Sequence, residues 1–161
     1  RAVSSHQATV RSAAAGRAAR KATAESARGD EALLLWLQTV YAPIDRLLGQ
    51  VINPFPAEFK ALSADPYDDQ LMEAFCAYLE QSQAKLEKVE TLYRSMAAPA
   101  SAQGFSLSVY HCLSQVKDAV VELERYTMGY VDNYLHDGRE MLREAKQRRT
   151  RLQAERRRLD L

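Results

Sequence analysis

The chain has 161 residues, 47% of them hydrophobic and 27% charged, and its commonest residue types are strong helix formers. A single domain of this size buries a core without disulfides or metals. Six Gly, five Pro and no alternating β-branched run exclude a β architecture, so the expected fold is all-α, an elongated antiparallel bundle of three main helices with a fourth allowed. The net charge of +1 hides three blocks of alternating sign. Residues 1–29 carry six Arg/Lys against Glu25 alone, residues 30–138 sixteen Asp/Glu against seven Arg/Lys, and residues 139–161 nine Arg/Lys against four acids.

These blocks are read as a basic arm (1–29), an acidic helical body (30–138) and a basic helical extension (139–161). The arm, rich in Ala, Arg and Ser, has the composition of a mitochondrial or chloroplast transit peptide. The alternative is an extended basic segment that reaches across a partner. The first helix proper is expected at Asp30-Glu31, where acids suit the positive end of a helix dipole. Leu33, Leu37, Val40, Ile44, Leu47 and Val51 then recur at alternating spacings of four and three, a heptad seam. Pro43 lies inside it, and a helix-interior proline costs about 3 kcal/mol, so a kink or break is expected near Tyr41.

Pro54 and Pro56 end that segment. Residues 53–66 read as a connector, with one or two helical turns that turn Phe55, Phe59 and Leu62 inward. Asp65-Pro66 has the form of an N-cap followed by proline at the first helical position. The next helix, expected over 66–97, carries the stripe Leu71, Phe75, Leu79 and Leu86. Residues 97–105 (AAPASAQGF) are the clearest loop, and Ser106 or Ser108 is placed to cap the last helical segment. The seam of that segment runs through Val109, Leu113, Val116, Val120, Leu123, Tyr130 and Tyr134. Without a proline after Pro99, this is one helix of about fifty residues whose basic end overhangs the bundle, or two that part at Gly129 or Gly138.

Arg139, Arg143, Lys146, Arg148, Arg149, Arg151, Arg156, Arg157 and Arg158 form the sharpest local signal, more cations than a helix dipole needs. Acidic protein, RNA phosphate and anionic lipid all satisfy such arginines, lipid least because the stretch lacks an apolar face. Tyr126, Tyr130 and Tyr134 share a face, but neighbouring acids favour helix packing over base stacking. Cys76 and Cys112 show no metal-ligand spacing, and no Glu-x-x-His, nucleotide loop or hydrolase motif occurs. No run of about 20 apolar residues spans a membrane. The expectation is a non-enzymatic accessory subunit without a cofactor, docked by helix seams and basic arms onto other protein subunits of a larger, organellar assembly. The alternatives are an RNA-binding peripheral protein of an organellar ribosome and a self-associating coiled-coil or membrane-peripheral scaffold.

Overall fold

A computed structural model of the chain describes the backbone of residues 2–159 and the side chains of residues 12–159. Residues 1, 160 and 161, which belong to the two basic segments, lie outside the described residues. The order is α1 (Ala2–Trp36), a π turn (Leu37–Tyr41), α2 (Ala42–Ile52), α3 (Phe55–Ala64), α4 (Asp69–Ser95), a short 3-10 turn (Ala100–Ala102), α5 (Gln103–Gly129) and α6 (Asp132–Arg158). The end of α1 together with α2 packs against α4, α5 and α6, while α3 closes one end. The all-α bundle expected from the periodicity is what forms.

Residues 2–29 are helical rather than extended, in keeping with their content of Ala, Arg and Lys. Residues 12–32 are exposed, so this part of α1 leaves the bundle as a single helix. From Leu33 onward the helix is core. Pro43 neither breaks nor ends it. The turn before the proline widens, and the Ala42 N–H bonds to the Leu37 carbonyl, five residues back. A π turn makes room for a proline that can neither donate to nor clear the carbonyl four residues behind it. The extra residue advances the buried face, so Leu48 is fully buried and Leu47 only partly.

Phe55 and Leu62 of α3 are buried and Phe59 packs against them, the inward-turned connector expected. Helix α4 starts three residues later than the expected 66, because the Asp68 carboxylate accepts the Leu71 N–H at 3.0 Å and so acts as the cap. Its buried face includes Phe75, Tyr78, Leu79, Leu86 and Val89, with Leu71 partly covered. The Tyr78 hydroxyl donates to the Val51 carbonyl at 2.5 Å and ties α4 to the end of α2. Between α4 and α5, Lys117 pairs with Glu90 at 2.6 Å, an exposed contact that lowers the Glu90 pKa and raises that of Lys117.

Val109, Leu113, Val116, Val120 and Leu123 are buried along α5. Of the two expected arrangements the fifty-residue helix does not form; the segment parts after Gly129. Tyr130 takes a left-handed conformation (φ 55°, ψ 31°), its N–H bonded to the Tyr126 carbonyl, and Val131 is extended before α6 begins. Helix α6 folds back along α5, burying Leu135, Leu142, Ala145 and Leu152. The expected overhang is therefore absent over the described part of the basic segment, residues 139–159, since an apolar stripe runs through it. Tyr130 lies exposed at the turn instead of in the seam, and Tyr134 is half-buried. Helices α5 and α6 approach closely at Gly138, where a methyl would lie 2.6 Å from a Leu123 side-chain carbon. Cys76 is exposed and Cys112 fully buried, both as free thiols.

A methyl at position 129 would meet only Val131, at 3.9 Å. Gly129→Ala should raise stability by up to about 1 kcal/mol through helix propensity. Gly138→Ala should lower it despite the same propensity gain, because the methyl would press on Leu123, which is fully buried in the core. Urea unfolding of the two variants checks this. Burial pushes the Cys112 thiol up from 9.0 to about 11 and the Tyr41 phenol up from 10.0 to about 12. The folded state holds both protons more tightly than the unfolded state. Stability should thus be complete below about pH 9 and fall as the pH rises toward 12. Melting of Cys112→Ala should show the onset of that loss moved up to about pH 10, where the tyrosines begin to contribute.

Candidate docking site

Helix α6 distributes its cations by their angle around the helix axis. Arg149 points toward the bundle, its Nε lying 2.9 Å from Asp45 Oδ1 and 3.2 Å from the Asp45 carbonyl. Gln153 also donates to the Asp45 carboxylate, at 3.3 Å. The guanidinium lies flat on α2 because position 49 is glycine: a methyl there would be 2.6 Å from an Arg149 terminal nitrogen. With both partners only about a fifth exposed, this pair fastens α6 to α2. Arg149 is thus engaged inside the structure.

Arg139, Arg143 and Lys146 follow one another at spacings of four and three and share the flank of α6 that faces α3. Between this row and the α2–α3 corner lies a cavity of about 260 Å³. Its floor is Ile52, Phe55, Pro56, Phe59 and Leu142, and the three cations stand at its rim. Arg139 is half-buried with its guanidinium carbon 4.7 Å from the centre of the Phe59 ring, which holds it at the mouth. Arg143 is exposed and pairs with Glu140 of the same helix at 3.1 Å, a contact that solvent makes weak. Lys146 is exposed.

Arg148 and Arg151 occupy the opposite flank, where they line a shallow groove with Ser108, His111, Leu152 and Glu155. Arg156 is half-buried near the end of α6, and Arg157 and Arg158 are exposed in its last turn. The nine cations therefore form no single patch. The cavity floor was not legible as a site, because Phe55 and Phe59 read as packing residues of a connector; an aromatic connector opposite a cationic helix is the signal that was available. Tyr67, between Asp65 and Asp68–Asp69, is 78% exposed.

Among the described residues, no group of three or more His, Cys, Asp or Glu side chains is arranged to hold a metal. No helix among them is long and apolar enough to cross a membrane.

Residues 28–160 match the family described as the C-terminal domain of the cyanobacterial DnaJ chaperone. No curated protein and no solved structure matches the chain. The matched span covers α2 to α6 and the part of α1 that enters the core, and therefore the whole of the cavity. It also overturns the mitochondrial or chloroplast location expected from residues 1–29: the family is cyanobacterial, and a cyanobacterium has no such organelle. A basic, acid-poor composition is shared by import signals and by Ala/Arg helices such as α1, so composition does not separate them. By the match over most of its length, the chain belongs to the family of cyanobacterial DnaJ chaperone C-terminal domains.

Proposed function

We propose that this domain is a non-enzymatic docking module of a DnaJ-type chaperone, which holds an acidic segment of a protein partner against α6. The observation that carries the reading is the cavity with an apolar floor and a rim of Arg139, Arg143 and Lys146. A carboxylate-rich segment with one bulky apolar side chain matches both features. Burying that side chain contributes about 1.5–3 kcal/mol, and each exposed rim pair about 0.2–1 kcal/mol. Set against the cost of association, these magnitudes describe a weak and reversible contact that salt weakens further. Such a contact suits a partner that must be released.

The test is fluorescence anisotropy with a labelled synthetic peptide in which a phenylalanine is flanked by aspartates. Arg143→Glu with Lys146→Glu should weaken its binding by about tenfold, or about 1.4 kcal/mol. Circular dichroism and melting should stay unchanged, because both side chains are exposed. Unaltered peptide affinity in the folded double variant would rule the site out. If single-stranded RNA binds instead, with a steep log–log dependence on salt, the cations serve phosphates and the RNA-binding alternative holds. Point substitutions are required here. Removing residues 139–161 should unfold the domain, since Leu142, Ala145 and Leu152 are core; a truncated chain with a cooperative melt would contradict the packing of α6.

A further inference from the structure

The end of the bundle where α5 turns into α6 carries an uncovered apolar patch. Tyr67 is 78% exposed and Met128 83%, with Val131 and Tyr130 at 48% and 41%. The Tyr67 and Tyr130 rings lie 5.5 Å apart, and Tyr130 rests edge-on against Tyr126 at 6.0 Å, so Tyr67 is held out as a knob on an ordered base. Its sequence neighbours are Asp65, Asp68 and Asp69, with Asp68 fixed by its cap to Leu71. The knob is therefore an aromatic ring flanked along the chain by carboxylates. That is the chemistry the cation-rimmed cavity takes.

The knob is not among the residues that line the cavity of its own molecule. Tyr67 follows α3 at the far end from Phe55, and ten helical residues span about 15 Å. On α6, Arg139 and Lys146 lie eight and fifteen residues beyond Val131, about 12 and 22 Å along the axis. The ring contact with Tyr130 fixes the knob at the turn end of that span. A second copy has no such restriction. The cavity is lined by the first half of α6 and the knob rests on Tyr130 just before that helix, and a twofold axis that set each knob against the other copy's cavity would make two identical contacts.

We infer that the domain self-associates as a reciprocal dimer, with the Tyr67 knob of each copy in the cavity of the other, beside the rim of Arg139, Arg143 and Lys146. This rests on the docking reading and names a second copy of the chain as an occupant of the same site. Dimerisation covers Tyr67 and places the aspartates against the arginines. It also closes the cavity to other acidic segments, so a partner must compete with the second copy.

Sedimentation of the full chain over a wide range of concentration tests it. The wild type should show a monomer–dimer equilibrium, and Tyr67→Ser, Asp65→Arg and Arg143→Glu should each weaken it by roughly tenfold or more. These side chains are exposed, and an unchanged melting temperature verifies that each variant folds. Mixing Asp65→Arg with Arg143→Glu should restore a dimer. In that pair one contact is wild type and the other has its charges exchanged, whereas either variant alone sets like charges together. A wild type that remains monomeric throughout, a dimer unaffected by the substitutions, or a mixture no tighter than its components overturns the inference. Binding of the labelled acidic phenylalanine peptide to a monomeric wild type separates the outcomes: the dimer falls while the docking site stands. Loss of peptide binding as well takes both.

Discussion

Between Gly129 and Asp132 the backbone passes through Tyr130 in the left-handed region, and everything after it runs back along α5. A non-glycine residue in that conformation costs about 1–2 kcal/mol, so the reversal must be held by its surroundings. The Tyr130 ring has partners in Tyr126 and Tyr67, and its N–H has a helical acceptor in the Tyr126 carbonyl. Beyond the turn, Gly138 lets α6 lie close to Leu123, and Ala145 keeps the same small spacing near Cys112, whose thiol approaches the Ala145 carbonyl at 3.7 Å. Without this reversal, residues 132–158 would form a charged rod. With it, they complete a core and wall a cavity.

The folded-back helix also sorts a set of cations that look alike in one dimension. Arg149 enters the interface and is neutralised by Asp45, aided by the absence of a side chain at position 49. Arg139 keeps its charge but sets its guanidinium over the Phe59 ring. Arg143 and Lys146 stay in water beside an apolar floor. One residue of shift along a helix is about 100° of rotation, enough to turn a structural arginine into a surface one. The family match, which begins at residue 28, covers this machinery and leaves most of the protruding part of α1 outside.

Much of the architecture was legible in the amino-acid sequence, because helix propensity and the spacing of apolar residues act locally. The all-α class, the buried positions of Leu33, Phe75, Val109 and Leu123, and the inward aromatics of residues 53–66 follow from periods of three and four residues. Where expectation and structure part, a longer-range constraint prevails. Pro43 is tolerated because a π turn keeps the helix on its core. Residues 139–158 stop being an overhang because their sparse Leu and Ala residues find α5 and α2.

What the sequence alone determined is therefore the helices, their inner faces and the surplus of cations in residues 139–158. The tertiary structure alone decided which of those cations remain free to meet a partner, and that Phe55 and Phe59 lie beneath three of them. The physical reason is that a helix fixes only the angle at which each side chain leaves its own axis. Whether that direction meets water, an aspartate or an aromatic ring depends on the neighbouring helix. Here the neighbour is set by the turn at Tyr130, a left-handed conformation that a tyrosine rarely adopts.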